Sequence, residues 1–377
     1  MHVEEVVVGL LSESIYWVAA ALGVVAVTGG AWLTSRTPRG RFSGWVLNML
    51  VIVLSSALVA VSAFLVLNRQ NSWYASLSEI WAKPGVSITV QHGSRDPQET
   101  FGKDPAVDRT DKRALPPLPS PGERVQVFEV PSSVGPESWQ VTVVLPADYF
   151  DPQSADRAYP VLVGGHGIPG HPSQFRTKMD LETLGDQSVS LGAVHPFVAV
   201  LPELLPDGVD TECIFGPSGP DQMETWLTVD APRFVKEHLR VIQGRTGWAW
   251  IGISAGAFCG VMSTMRHPET FAAAISLGGY FKPIWDGTPP LARKQQAEYD
   301  LPALARNSPP PVALYLQSSK QDKKYWKQTT KFLSAVRAPT LVESVEDDVG
   351  GHNWNTWLPH FPDAMEWLGR TVPGFKP

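Results

Sequence analysis

Two long stretches of uncharged, mostly apolar residues stand near the beginning of the chain, at positions 14–35 and 42–68. A helix of about 20 apolar residues crosses the hydrocarbon core of a bilayer. A core helix of a soluble domain rarely stays uncharged on every face for that long. We therefore predict two transmembrane helices, at about 14–35 and 42–68, that form a hairpin within residues 1–69.

The charges around this hairpin predict its orientation. Arg36, Arg39 and Arg41 lie in the short connection between the apolar stretches, and positive residues in short loops stay on the cytoplasmic side. They outnumber Arg69, which follows the second stretch. A cleavable signal peptide is the alternative for the first stretch, but it would begin with basic residues, whereas this chain begins with acidic ones. We expect the chain to lie in the cell membrane, with its N-terminus and everything after residue 68 outside the cytoplasm.

The hairpin is followed by a segment that is rich in proline and charge. Trp73, Tyr74 and Trp81 come first and are typical of the boundary between lipid and water. The run "ALPPLPSPGER" is the most proline-rich part, and such runs form extended, stiff spacers. We predict an extracytoplasmic linker over residues 70–123.

From residue 124 to residue 377, short strand-like runs alternate with helical ones. Several of the strand-like runs are apolar throughout, as is typical of strands buried on both faces of a parallel sheet. The predicted strands are "VQVFEV", "WQVTVVL", "YPVLVGGHG", "FVAVLPE", "WAWIGIS", "AAAISLGG" and "VALYLQ". Residues 223–241, 257–267 and 325–336 are predicted as helices, the first of them kinked or split by Pro232. The alternation predicts one α/β domain over residues 124–377, with a mostly parallel central sheet flanked by helices.

Composition narrows the class of protein. The net charge is −6, and the sequence shows no basic stripe, which argues against nucleic acid as a partner. Cys213 and Cys259 are the only cysteines and are too few for a disulfide framework. The sequence leaves open whether they form one bridge or remain two half-buried thiols.

The strongest chemical signal is "GISAG" at positions 252–256, the only G-x-S-x-G run in the chain. A strand-like run precedes it and a helical run follows it, which is the context of a nucleophile elbow. Gly252 and Gly256 allow the strand and the helix to approach closely around the turn. A structural turn with an idle serine is the alternative, but the context favours Ser254 as a nucleophile.

The serine needs a base, and three histidines follow it along the chain: His267, His352 and His360. His267 falls near the end of the helix after the elbow, and His360 falls where a further helix has begun. His352 lies in the glycine-rich run "DDVGGHNWNTW", after the strand-like "TLVESV". Because a base on a loop after a late strand suits this arrangement, we predict His352 as the general base.

The base in turn needs an acid that orients it and stabilises its imidazolium form. Asp322 follows the strand-like "VALYLQ" and precedes His352, which is the chain order of this type of site. Glu346, Asp347 and Asp348 are the alternatives, but they lie so close to His352 that a solvated charged loop suits them better. We predict Asp322 as the acid.

Two backbone N–H groups should form an oxyanion hole. Ala255 supplies one, since it directly follows the nucleophile, and the loop "GGHGIPGHPSQF" supplies the other. We assign the second donor to Ile168, because Pro169 has no N–H. His166 and His171 in this loop lack a carboxylate or cysteine at a spacing that would complete a metal site. We predict neither a metal nor a cofactor.

Taken together, these motifs resemble the esterase-D group of α/β-hydrolases and, within it, the antigen-85 mycolyltransferases. The resemblance covers about residues 130–371. The runs "VPSSVGPESWQVTVVLP" and "METWLTVDAPRFV" are similar to the family's first hairpin and to one of its helices, and "GISAG" and "GGHNWNTW" fall at its serine and histidine motifs. Asp322 falls where the family has a glutamate. The resemblance implies an α/β-hydrolase fold and acyl-ester chemistry.

One motif departs from the family. Its oxyanion loop reads Asp-Gly-Leu-Arg, and the Asp and Arg hold trehalose, whereas this chain has "HGIP" there. We expect His166 and Trp354 to contact substrate, although Trp354 and Trp357 could instead pack in the core. The sequence thus predicts a membrane-anchored, extracytoplasmic serine esterase or acyltransferase that acts on lipid or other acyl esters, with a sugar as one acceptor. The alternative is a non-catalytic cell-envelope module on a hydrolase scaffold.

Overall fold

The computed structural model describes residues 10, 13–36, 42–71, 73–75, 79, 87–103, 105–215, 223–284 and 293–377. The chain divides into two compact units. One unit comprises Met1–Gly85 with Val349–Thr356, and the other comprises Val86–Asp348 with Trp357–Pro377. Three residues used in the predictions lie outside the described residues. They are Arg39 and Arg41, on which the predicted orientation depends, and Trp81, which is predicted at the lipid boundary.

The first unit contains two long helices, α1 (Glu13–Arg36) and α2 (Phe42–Asn71). Both are long and apolar enough to cross a membrane, and only 11% and 6% of their apolar stretches are buried. Small residues allow the two helices to pack closely, since a Cβ placed on Gly23 would lie 3.4 Å from Cβ of Ser62. The two helices coincide closely with the predicted spans.

The second unit is built on a nine-stranded sheet. Its strands in chain order are β1 (Ser87–Gly93), β2 (Val125–Pro131), β3 (Ser138–Val144), β4 (Val161–Gly165), β5 (Val198–Pro202), β6 (Trp248–Ile253), β7 (Ala273–Leu277), β8 (Ala313–Ser319) and β9 (Leu341–Asp347). They lie in the order β1-β9-β8-β7-β6-β4-β5-β3-β2. The strands from β5 across to β9 pair in parallel, whereas β1–β9, β3–β5 and β2–β3 pair antiparallel. The predicted mostly parallel sheet is confirmed.

Burial along the strands follows from their place in the sheet. Every residue of β4, β5, β6, β7 and β8 is buried. These strands are covered by helices on both faces, which is why their sequences are apolar runs without alternation. β2 forms one edge of the sheet, opposite to β1, and its buried positions alternate with exposed or half-buried ones. The carboxyl ends of the parallel strands meet at one edge of the sheet, where binding sites of α/β proteins form.

Shorter helices lie between and after these strands along the chain. They are α3 (Pro97–Phe101), α4 (Gln174–Thr177), α5 (Leu181–Ser190), α6 (Met223–Thr225), α7 (Ala231–His238), α8 (Ala255–Arg266), α9 (Arg293–Glu298), α10 (Leu301–Asn307), α11 (Lys323–Ala335), α12 (Trp354–Trp357) and α13 (Phe361–Thr371). A π-helical turn, Trp226–Asp230, separates α6 from α7. Pro232 stands in the first turn of α7, so the predicted helix is interrupted just before the residue that cannot donate a backbone hydrogen bond.

The predicted linker over residues 70–123 needs a correction. Residues Ser87–Gly93 form β1, which pairs with β9 along its whole length. The run "SITVQHG" has the β-branched residues that favour strands and contains no proline. Beyond α3, residues 105–123 contain neither helix nor strand apart from one isolated bridge at Thr110.

Candidate active site

Ser254 lies in a strained turn between β6 and α8. Its backbone has φ 51° and ψ −117°, a conformation that costs free energy for a residue with a side chain. Two glycines make room for the turn: a Cβ on Gly252 would lie 2.2 Å from the carbonyl oxygen of Gly256, and a Cβ on Gly256 would lie 2.1 Å from that of Gly165. The Ser254 N–H donates to the carbonyl of Leu277 at 3.1 Å, which ties the turn to the neighbouring strand.

The loop after β4 lies against this serine. A Cβ on Gly167 would lie 3.3 Å from Cβ of Ser254, so a larger residue at this position would crowd the nucleophile. Ile168 follows and is 38% exposed. Ala255 is the first residue of α8, and the first N–H groups of a helix have no partner within the helix. The two predicted oxyanion donors therefore belong to the two segments that meet at Ser254.

His166 is fully buried, and both of its ring nitrogens are engaged. Nδ1 lies 2.9 Å from the carbonyl oxygen of Gly167, and Nε2 lies 3.0 Å from the backbone nitrogen of Leu204 and 3.1 Å from Oε1 of Glu203. A ring in this position has no surface to offer a sugar or an acyl chain. We therefore reassign His166 from substrate contact to support of the loop that carries Ile168.

Glu203 complements this histidine electrostatically. Burial raises the pKa of its carboxyl group, but hydrogen bonds from His166 and from the N–H of Leu205 outweigh burial and bring the pKa below its usual value. The N–H of Leu205 donates to Oε1 of Glu203 at 2.8 Å. A carboxylate held in this way fixes the orientation of the His166 ring and, through it, the conformation of the loop beside Ser254.

Asp322 lies where the sequence predicts it, three residues after the end of β8 and directly before α11. Its side chain is only 3% exposed, and its carbonyl accepts a hydrogen bond from the N–H of Trp326 at 2.9 Å. Burial and then the charges of Asp322 and Glu212 raise the pKa of Tyr325 to about 12. Asp322 is thus a buried carboxyl group that follows the carboxyl end of β8, as the buried Ser254 follows the carboxyl end of β6.

His352 belongs to the first unit, in the loop Val349–Thr356. The residue is 8% exposed. Oδ1 of Asn353 accepts hydrogen bonds from the N–H groups of Asn355 at 2.9 Å and Thr356 at 3.3 Å, which closes the first turn of α12. Gly350 has φ 129° and permits the tight turn that precedes His352.

The alternative acids are each engaged elsewhere. Asp347 is fully buried and accepts from Ser87 Oγ at 2.6 Å and from Gln317 Nε2 at 2.6 Å, and it lies 2.8 Å from Nε2 of His360. Its contacts therefore connect β9 with β1, with β8 and with the residue directly before α13. Asp348 is exposed and pairs with Lys320 at 2.6 Å. Glu346 accepts from Nε1 of Trp326 at 2.5 Å.

The structure resolves two questions about side chains that the sequence left open. Trp357 is buried and packs so closely against Gly278 that a Cβ on this glycine would lie 2.4 Å from Nε1 of the indole. Trp357 is therefore a core residue, whereas Trp354 is half-buried and remains a candidate for substrate contact. Cys213 and Cys259 form a disulfide bond, which joins the loop after β5 to α8.

The sequence does not reveal that Glu212, the residue before this disulfide, is buried. Glu212 precedes Cys213 and is only 4% exposed, and both of its carboxyl oxygens lie 2.9 Å from the hydroxyl of Tyr280. Tyr280 stacks on Phe258 of α8 with ring centroids 5.0 Å apart. Burial, followed by the charge of Asp210, raises the pKa of Glu212 to about 8. No sequence pattern distinguishes this glutamate from an exposed one.

The raised pKa of Glu212 predicts how the stability of the fold depends on pH. Its pKa is about 8 in the folded chain against an ordinary 4.5, so the folded state holds a proton that the unfolded state releases in that range. The stability that this proton contributes is complete below pH 4.5 and is lost as the pH rises through 8, by up to about 1.4 kcal/mol per pH unit. We expect Glu212→Gln to raise the melting temperature at pH 9 by several degrees and to leave it nearly unchanged at pH 5.

Thermal unfolding of the full chain in detergent at several pH values checks this prediction. Glu237→Gln is the matched control, because Glu237 is exposed on α7 and should leave the pH dependence as it is in the wild type. Equal pH dependence of the wild type and Glu212→Gln would show that Glu212 does not hold this proton.

The comparisons with known proteins agree with this fold. The family model described as Esterase matches residues 132–368. An uncharacterized protein of Corynebacterium glutamicum is 23% identical over 249 residues, which cover 66% of this chain and 54% of that protein. The chain thus spans about half of the length of that curated relative.

Solved structures share the fold. An S-formylglutathione hydrolase from Agrobacterium tumefaciens is 15% identical with a TM-score of 0.55, and the match covers 66% of this chain and 95% of that one. MPT51 of Mycobacterium tuberculosis, an antigen-85-family protein, is 14% identical with a TM-score of 0.50, over 68% of this chain and all of that one. These matches confirm the predicted α/β-hydrolase fold. With a family model that matches most of its length and a strained serine at the carboxyl end of β6, this chain belongs to the esterase family.

Proposed function

We propose that the chain is a membrane-anchored serine esterase or acyltransferase that acts on acyl esters of the cell envelope, with Ser254 as nucleophile, His352 as general base and Asp322 as the acid that orients His352. The observation that carries the proposal is the strained turn at Ser254, because backbone strain of this kind persists where it serves a function. Three glycines, Gly167, Gly252 and Gly256, leave the space that this turn requires, since a Cβ on any of them would lie 3.3 Å or less from a neighbouring residue.

The proposed reaction has two halves. In the first, Oγ of Ser254 attacks the ester carbonyl carbon while His352 takes the hydroxyl proton, and the same proton passes to the alcohol oxygen as the ester C–O bond breaks. In the second, water or an acceptor hydroxyl gives its proton to His352 and attacks the acyl carbon, and Ser254 leaves with the proton. The N–H groups of Ala255 and Ile168 would stabilise the oxyanion of each tetrahedral intermediate.

Two features support an extracytoplasmic location. The arginine-rich connection between α1 and α2 favours a cytoplasmic hairpin loop. The disulfide bond between Cys213 and Cys259 is of a kind that persists in oxidising compartments and is rare in the cytosol. With two spans, an inward connection puts the domain after α2 on the outer side, close to lipid.

A fluorophosphonate probe tests the proposal directly, because it reacts with the activated serine of serine hydrolases. We expect the wild-type chain in membranes to be labelled and Ser254→Ala to remain unlabelled. Ser190→Ala is the matched control, since Ser190 is an exposed serine at the end of α5 and should not change the labelling. If neither the wild type nor the control is labelled, the chain is a non-catalytic module and the proposal is wrong.

The acceptor is expected to be something other than trehalose. In the resembled family the Asp and Arg of the oxyanion loop hold trehalose, whereas here a fully buried His166 and Pro169 occupy these positions. Without those side chains, trehalose gains no effective concentration over water at the acyl-enzyme. We predict that an acyl donor mixed with trehalose is mainly hydrolysed.

Following both products in one reaction, with Ser254→Ala as the background, checks this expectation. Acylation of trehalose faster than hydrolysis of the donor would contradict it. Repeating the reaction with other sugars and with lipid hydroxyl acceptors would then identify the acceptor class.

A further inference from the structure

The membrane-proximal segment, residues 73–79, holds the loop that carries His352. Of this segment the structure describes Trp73–Ala75 and Glu79. Glu79 is only 8% exposed. Its Oε2 accepts hydrogen bonds from the N–H of Gly351 at 2.7 Å and from Nδ2 of Asn353 at 3.1 Å. The residues directly before and directly after His352 are therefore both bound to one carboxyl oxygen.

Further hydrogen bonds join the same two segments. Nδ2 of Asn353 also donates to the carbonyl of Trp73, and Nδ2 of Asn355 donates to the carbonyl of Glu79 at 2.8 Å. The other carboxyl oxygen of Glu79 accepts from the N–H of Ala75 at 2.8 Å, which fixes the side chain from its own segment. The loop is thus bound through its backbone and through two of its side chains.

The segment is in turn fixed to the end of α2. Asn68 is fully buried, and its side-chain amide makes two hydrogen bonds to the backbone of Tyr74. Nδ2 donates to the carbonyl of Tyr74 at 2.8 Å, and Oδ1 accepts from its N–H at 2.7 Å. A continuous series of hydrogen bonds therefore runs from the second apolar helix, through the membrane-proximal segment, to both neighbours of His352.

We propose that Glu79 is a positioning residue for His352, because it binds the residues on both sides of this histidine. This inference rests on the proposed function. A general base must stay within hydrogen-bond reach of the nucleophile, and a displacement of about 1 Å can lower the rate about 10²-fold. A glycine-rich loop does not hold such a position by itself, because its backbone has many accessible conformations. Binding the loop on either side of His352 removes that freedom.

The test uses the full chain in detergent and an activated ester. We expect Glu79→Ala to lower kcat about 10²-fold while KM changes less than about 2-fold, because the base is misplaced and the ester site is not. Glu79→Gln, which keeps one acceptor oxygen, should recover part of the loss. Glu237→Gln, an exchange of an exposed glutamate, should leave kcat at the wild-type value.

A double-mutant cycle separates positioning from general destabilisation. In a His352→Ala background, Glu79→Ala should lower the residual rate less than about 2-fold, since there is no base left to position. An equal loss in both backgrounds, or an unchanged kcat in Glu79→Ala, would overturn the role of Glu79. If Glu79→Ala fails to fold, Asn355→Ala is measured in the same cycle, because it removes the hydrogen bond to the Glu79 carbonyl and leaves the carboxyl group in place.

This experiment distinguishes a failure of the proposed function from a failure of the positioning role of Glu79. Full activity of His352→Ala would overturn the proposed function, and the role of Glu79 would fall with it. An inactive His352→Ala together with a fully active Glu79→Ala would overturn only the positioning role.

Discussion

Replacing Ser254 or His352 with alanine is expected to lower kcat for an activated ester by about 10⁶-fold, and replacing both should lower it no further. In the proposed mechanism the nucleophile and its base act as one unit, so losing either would remove the covalent route entirely. The expected residual activity comes from stabilisation by the proposed oxyanion donors, the backbone N–H groups of Ile168 and Ala255, about 10³- to 10⁴-fold over water. Hydrolysis of a p-nitrophenyl ester by each purified full-length variant measures this.

The matched controls are Ser190→Ala and His267→Ala. Ser190 is exposed, and the half-buried His267 follows α8 and lies 2.8 Å from the buried carboxyl group of Glu224, so neither belongs to the proposed machinery and kcat should stay within a few-fold of wild type in both. Additive losses in the Ser254→Ala/His352→Ala double variant would mean that the two residues work independently. A residual rate above about one hundredth of wild type in either single variant would exclude that residue from the machinery.

Replacing Asp322 with asparagine is expected to lower kcat about 10⁴-fold, with the melting temperature nearly unchanged. Asparagine has almost the shape of aspartate, but its amide cannot stabilise the imidazolium form and favours the wrong tautomer of the base. Asp348→Asn is the matched control: Asp348 is an exposed aspartate paired with Lys320, and its exchange should change kcat less than about 3-fold. Steady-state kinetics and thermal unfolding of both variants provide the test.

The pair Asp347 and His360 is the competing arrangement. These side chains lie 2.8 Å apart and are buried, so on distance alone they resemble an acid and its base. The other contacts of Asp347, to Ser87 and Gln317, indicate a structural role in joining strands. If Asp347→Asn and His360→Ala lowered kcat more than Asp322→Asn and His352→Ala do, with unchanged melting temperatures, the acid and the base would have to be reassigned to this pair.

The sequence pattern predicts those parts of the structure that depend on neighbours along the chain. Uninterrupted apolar runs predict β4, β6, β7 and β8, because burial on both faces removes alternation. The turn at Ser254 is predicted because a strand, two glycines and a helix follow one another within a few residues. The π-helical turn before Pro232 has a local cause as well, since a proline within a helical run lacks the N–H that would continue its hydrogen bonds.

Features that depend on distant parts of the chain could not be predicted in this way. Val90 and Ser344 lie 254 positions apart, and only the folded sheet shows that β1 belongs beside β9. Glu79 and Gly351 are separated by 272 positions. The burial of His166 likewise depends on Glu203 and Leu204, which the sequence places on another strand and loop. A pattern within one segment carries no information about such partners.

The strand β1 decides where a soluble catalytic fragment can begin. The sequence alone would start such a fragment at residue 124, after the proline-rich run, and would discard β1 with the linker. That cut would remove the antiparallel neighbour of β9 and leave this seven-residue strand at an open sheet edge, with the backbone N–H and carbonyl groups that face β1 unpaired. Open edges of this kind recruit strands from other molecules and lead to precipitation. A fragment intended for crystallisation or inhibitor screening should therefore start before Ser87, and before Trp73 if its histidine loop is to keep the contacts that Glu79 provides.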